Sequence, residues 1–109
     1  MLFNNKTEFA TTLSDQFRMS ANWRGSNAKR YTHDARNAEA AQRLHELELQ
    51  IVIPDSVWET LAPLVADPVC LAAISETNRD VGFRKHPKDF SSWLENLHAN
   101  LMFHSVVAA

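Results

Sequence analysis

An all-α domain of about five helices is the fold this sequence predicts, and three observations predict it. First, 109 residues contain only two glycines, Gly25 and Gly82, whereas sheet-rich folds use glycine at many turns with positive φ. Second, apolar residues recur at helical rather than alternating spacing along most of the chain. Third, 45% hydrophobic and 22% charged residues make an ordinary globular mixture, far from the signature of disorder. The length suits one domain, 1–109, burying about 60 to 70% of the surface its unfolded chain exposes.

The first helix is expected over 7–19. Asn5 and Glu8 have capping-box spacing, and Phe9, Leu13 and Phe17 repeat at i, i+4 and i+8 as one apolar stripe. The second is expected from about His33 to Gln50, since Ala-, Glu-, Arg- and Leu-rich sequence favours helix and Ala40, Leu44, Leu47 and Ile51 hold its period. Residues 49–53 are β-branched and apolar enough for one short strand, but no second strand offers itself for pairing, and a helix end is the better reading.

Pro54 stops that element. Ser56 and Glu59 repeat the capping-box spacing ahead of Val57, Leu61 and Leu64, which gives a third helix bent or ended near Pro63. Asp67 and Pro68 read as N-cap and first residue of a short fourth helix that turns Val69, Ala73 and Ile74 inward. The last helix should begin near Pro87 and reach Val106, with Phe90, Leu94, Leu97 and Leu101 in line and Trp93 beside them. The two glycines fall in the two most polar stretches, 20–33 and 77–89, which read as the main connections.

A single cysteine, Cys70, excludes an internal disulfide and supplies no Cys-x-x-Cys pair, which fits a reducing compartment. The first six residues lack the apolar stretch of a secretory signal, and no run approaches the roughly 20 apolar residues of a membrane helix. The longest candidate, 61–74, contains Asp67, Pro63 and Pro68. A cytoplasmic location without membrane contact is expected.

Catalytic motifs are sought without result. Neither glycine lies in a phosphate-cradling pattern, no Gly-x-Ser-x-Gly elbow is present, and Cys70 lies in an apolar run where a thiol is ordinarily inert. Of His33, His45, His86, His98 and His104, none pairs with another at i, i+4, the spacing that puts two metal ligands on one helical face. No cofactor and no metal are therefore expected. Residues 90–94 have the look of a helix-turn-helix recognition helix, but Gly82 stands too far ahead of Phe90 for the tight turn, and Glu95 makes an acidic reading head.

Charge is where the sequence departs from blandness. Between Gln16 and Arg36 five positive residues, Arg18, Arg24, Lys29, Arg30 and Arg36, face Asp34 alone. From Asn37 to Asn78, Arg43 stands against seven acidic residues, among them Glu39, Glu46 and Glu48. Residues 79–90 are again basic, with Arg79, Arg84, Lys85 and Lys88 against Asp80 and Asp89, so the net charge of −2 hides segregation. Trp23 and Tyr31 are interleaved with the first basic block. Aromatic plus arginine is the composition of protein hot spots and of single-stranded nucleic-acid sites alike.

These observations point to a non-enzymatic protein–protein interaction protein: an inhibitor, adaptor or accessory regulator occupying a surface of a larger partner, of the bare, compact kind that phages and plasmids carry. The expected contacts are Trp23, Arg24, Lys29, Arg30, Tyr31, Arg84 and Lys85 on the basic side and Glu39, Glu46 and Glu48 on the acidic side. One alternative is a nucleic-acid-binding regulator using the basic loops, against which a net charge of −2 argues. Another is a small metal-dependent enzyme in which His33, His45 or His86 meets carboxylates. A homodimer is also in view, because Leu97, Leu101, Met102, Phe103, Val106 and Val107 leave the C-terminal end apolar on more than one side.

Overall fold

Five helices follow one another in the computed structural model: α1 (Lys6–Arg30), α2 (Arg36–Leu49), α3 (Asp55–Leu61), α4 (Val69–Asp80) and α5 (Phe90–Ala108). The structure describes residues 3, 5–65 and 69–108, with the side chains of all of these except Val69 and 105–108. Among the described residues there is no strand. An isolated bridge joins Val81 to Lys85, and among the described residues no helix is long and apolar enough to cross a membrane.

The α1 N-terminus forms as its sequence predicts: Asn5 Oδ1 accepts from the Glu8 backbone N–H at 2.9 Å, satisfying one of the helix's four orphan donors. Its C-terminus does not, because the polar stretch from Ser20 onward continues α1 to Arg30 instead of forming a loop. One Gly in a helix interior costs only about 1 kcal/mol, and Ala21, Arg24 and Ala28 favour the helix around Gly25. Lys29 and Arg30 stand in the last turn, where cations complement the helix dipole. A Cβ at Gly25 meets nothing within 4 Å, so Gly25→Ala should raise stability by about 0.5–1 kcal/mol. A higher midpoint in urea with an unchanged slope is the expected reading.

Helix α2 packs antiparallel on α1, as two cross-contacts show: Ser14 Oγ donates to Glu48 Oε2 at 2.7 Å, and Arg24 reaches Asn37 farther along. Its start is later than sequence alone predicts. Asp34 Oδ1 accepts from the Arg36 backbone N–H at 3.1 Å, a turn that holds 31–35 out of the helix. At the other end, residues 50–53 are irregular and form no strand, so the helix-end reading holds. Gln50 Oε1 instead accepts from the Phe90 N–H at 3.1 Å, tying this segment to the start of α5.

The capping box expected at Ser56 and Glu59 is not formed. Pro54 is the N-cap residue and Ser56 already lies inside α3, with no side-chain cap bond; proline's fixed φ next to a helix start does the work. Lys6 Nζ meets Asp55 Oδ1 at 2.6 Å and the Trp58 ring lies 5.4 Å from that of Phe9, which seats α3 on the beginning of α1. The Asp67-Pro68 cap lies outside the described residues. Beyond it, α4 is longer than expected and absorbs 77–80. Helix α5 starts at Phe90, not near Pro87, because Asp89 Oδ1 accepts from the Ser92 N–H at 2.8 Å, an N-cap bond that holds the Asp89 carboxyl below its usual pKa.

Among the described residues, the large buried apolar side chains gather in a core cluster. Its centre is aromatic: the Trp93 ring stacks on Phe90 with centroids 5.6 Å apart and tilts against Phe17 at 4.7 Å, arrangements aromatic pairs favour. The predicted stripes Phe9/Leu13/Phe17 and Phe90/Leu94/Leu97/Leu101 are buried, as are Ala40, Leu44 and Leu47, whereas Ile51 lies past the end of α2 and is only partly buried. A buried polar chain crosses this core. Trp93 Nε1–H donates to Asn78 Oδ1 at 3.0 Å, Asn78 Nδ2 donates to Ser20 Oγ at 3.2 Å, and Asn100 Nδ2 donates to Thr77 Oγ1 at 2.8 Å. Helices α1, α4 and α5 are thereby fixed in register.

Gly82 answers a specific requirement in the α4–α5 connection. Its φ is +81°, and an added Cβ would lie 2.9 Å from Ala40 Cβ on α2. Gly82→Ala should therefore cost about 1–2 kcal/mol through left-handed backbone strain and a displaced α2 contact. Equal stability of the variant and parent in thermal unfolding would contradict this.

Candidate functional site

The two basic blocks, remote in sequence, meet at one end of the molecule. Arg24, on the penultimate turns of α1, places its guanidinium 4.0 Å from the ring centroid of Phe83 in the α4–α5 connection and 4.7 Å from that of Trp23. Arg36, opening α2, approaches the Phe83 ring at 4.6 Å. The result is a ladder of Trp23, Arg24, Phe83 and Arg36, held by cation–π attraction. Sequence reading passed over Phe83. A lone large apolar residue in a polar, basic stretch was the available signal.

Two carboxylates neutralise the ladder from outside. Asp34 accepts twice from Arg36, at 2.8 Å to both Nε and Nη2, and this hydrogen bonding pulls its carboxyl pKa down to about 2. Burial lowers the Arg24 pKa while Asp34 and Asp80 oppose the shift; an arginine stays charged throughout.

Arg24 must be reassigned. It is 6% exposed, donates to the Arg79 carbonyl at the end of α4, and lies within 3.5 Å of Asn37 Oδ1. Its guanidinium supports the surface from beneath and is not presented to a partner. The reason is the continuation of α1: helical periodicity puts position 24 on the same inward stripe as Phe17, which a loop would not have done.

Trp23 and Tyr31 are 50% and 56% exposed. Trp23 shares a face of α1 with Met19, four residues earlier and 63% exposed, and both line a shallow groove whose other wall is Ser75 and Arg79 of α4. Tyr31 caps the α1 C-terminus, its N–H donating to the Asn27 carbonyl at 2.7 Å. Lys29, Arg30, Arg84 and Lys85 are exposed and make no ion pair among the described residues. The rigid end of α1 and the Phe83 connection thus present aromatics and uncommitted cations together.

The acidic residues are not gathered into a matching patch. Glu48, with its side chain 17% exposed, is held by Ser14 and by Arg18 Nε at 3.3 Å. Glu46 pairs with Arg43 at 3.1 Å. Glu39 and Glu46 line a cleft whose other side carries His86 and Lys88. Acidic and basic side chains intermingle on this face because α2 packs against both α1 and the α4–α5 connection, so only the basic half of the expected segregation survives folding.

No group of three His, Cys, Asp or Glu side chains close enough to hold a metal occurs among the described residues. His33, His45 and His86 are exposed, while His104 Nε2 meets Glu76 Oε2 at 2.8 Å across α4 and α5. At the C-terminal end, Leu97 and Leu101 are core while Met102 and Phe103 are exposed. The side chains of Val106 and Val107 lie outside the described residues. Comparison of the chain with protein-family models, with curated proteins and with solved structures gives no match.

Proposed function

We propose that this protein works by binding a larger protein partner through the basic aromatic end of α1 and the connection that carries Phe83. One observation carries the reading: Trp23 and Tyr31, half-exposed large aromatics, stand on a helix end stiffened by the buried Arg24 ladder and flanked by four cations that make no ion pair among the described residues. Large aromatics held rigid lose little entropy on binding and dominate protein hot spots. Unpaired surface cations steer an acidic partner toward them. The acidic helix α2 is withdrawn from the contact surface in this proposal, since its carboxylates are largely engaged within the molecule.

A charge reversal tests it. Lys29, Arg30, Arg84 and Lys85 changed together to Glu, and separately Trp23→Ala, should each weaken partner capture at least about 30-fold, the scale of losing a hot spot worth about 2 kcal/mol. Circular dichroism should stay unchanged. Capture that survives both variants at low salt would overturn the proposal.

Nucleic acid is the second reading, favoured by the same pairing of exposed aromatics with cations. Asp34 and Asp80 in the same end work against it. A gel shift at about 50 mM salt that fades steeply as salt rises would move the assignment there.

A further inference from the structure

A cleft of about 560 Å³ opens between α5 and α3 with the segment leading into α3, and none of the four exposed cations at the basic end lines it. That volume lies in the range of small-molecule sites, about 300–1,000 Å³. Val52, Pro54, Val57, Leu61 and Leu94 make its floor and the α3 wall mainly apolar, with Ser56 and Thr60 beside them and the Thr60 hydroxyl donating to the Ser56 carbonyl at 3.2 Å. Leu61 and Leu94 are themselves core residues, so the floor is rigid.

The α5 wall is different in kind. Ser91, Glu95 and His98 follow one another at i, i+4 and i+7, which puts them in a row on one helical face. None of the three side chains has a hydrogen bond or ion pair among the described residues. Among the described residues no lysine or arginine lines the cleft, and the one carboxylate that does is Glu95. An apolar recess whose only formal charge is negative complements an apolar cation. It suits a second copy of the chain poorly, because a two-fold contact here would bring two Glu95 carboxylates together as water is excluded.

We infer that this cleft is a binding site for a small apolar ammonium, an aliphatic or aromatic amine. The hydrocarbon lies on Val57, Leu61 and Leu94. The ammonium donates hydrogen bonds to the Glu95 carboxylate and the His98 imidazole, and the charge-assisted bond sets the preference over a neutral or anionic ligand of equal length.

The probes are n-hexylammonium, n-hexanol and n-hexanoate, titrated separately near neutral pH and followed by amide chemical shifts. Shifts should concentrate at 52–61 and 91–98, with hexylammonium bound at least about fivefold more tightly than either other probe. Glu95→Gln, an exposed and fold-neutral change, should erase that preference while leaving hexanol binding in place. Val57→Trp, which fills the cleft, should abolish all three. Equal affinity for the three probes, a preference that survives Glu95→Gln, shifts elsewhere on the molecule, or no binding by about 10 mM would each overturn the inference. The fourfold charge reversal at the basic end should leave hexylammonium binding unchanged, so this proposal and the protein-partner proposal fail separately.

Discussion

Asn78→Leu should destabilise the fold by about 2–4 kcal/mol, although leucine has the same number of side-chain heavy atoms as asparagine and is more apolar. Asn78 is fully buried, and its side chain accepts from Trp93 Nε1 and donates to Ser20 Oγ. Replacing it leaves the indole N–H in the core without an acceptor, and an orphaned buried donor costs about 1–3 kcal/mol. The loss of the α1–α4 link adds to that. The second variant Trp93→Phe, made in the Asn78→Leu background, removes the stranded donor as well. Part of the loss should then return, so that the double variant is more stable than the sum of the single costs predicts. Urea unfolding of the four proteins measures this. Strict additivity would mean that the hydrogen bond contributes nothing to coupling between α4 and α5.

Arg24→Ala should cost about 3 kcal/mol, well above what an ordinary surface arginine would. The substitution removes the guanidinium from between Trp23 and Phe83, strips the Arg79 carbonyl of its donor, and leaves Asp34 and Asp80 without their buried countercharge. Breaking a buried ionic arrangement by deleting one member is worth about 3–5 kcal/mol when the remaining charges stay buried. Here they are partly solvated, which holds the figure toward the lower end. Arg24→Lys keeps the charge but loses the planar fork and the stack, and should recover only part of the difference. If Arg24→Ala is within about 0.5 kcal/mol of the parent, the ladder is decoration and the stiffness ascribed to the α1 end is lost with it.

The two variants bear on function differently. Arg24→Ala should weaken partner capture indirectly, by loosening Trp23 and the Phe83 connection, and a lower temperature should restore part of it. The fourfold charge reversal acts on exposed groups and should not respond to temperature in that way.

Much of the helical order was legible in the sequence because it depends on nearest neighbours along the chain. The stripe Phe9/Leu13/Phe17 and the Asn5 cap are local, and both formed as their spacing predicts. Pro54 marked a boundary on the same grounds. Where local signals conflicted, reading failed at once: Gly25 and the polar residues around it suggested a loop, yet the inward packing of Arg24 carried α1 through to Arg30. Pro87 suggested a helix start, and the Asp89 cap two residues later took that place.

The composition of the candidate surface was likewise visible, since Trp23, Tyr31 and the basic residues around them stand together in the chain. Which of those residues faces water was not. The Phe83 ring brought in from the α4–α5 connection and the pairing of Glu48 on α2 with Arg18 on α1 both arise from elements that meet only in the fold.

Sequence alone determined that this chain makes helices, where most of their apolar faces lie and that its charge is unevenly distributed. Tertiary structure alone decided that Arg24 turns inward, that Asn78 joins three helices, and that the acidic and basic blocks partly cancel. The physical reason is range. Backbone propensity and capping act within a turn or two of helix, whereas burial and ion pairing depend on which distant side chain the packed fold brings within a few ångströms.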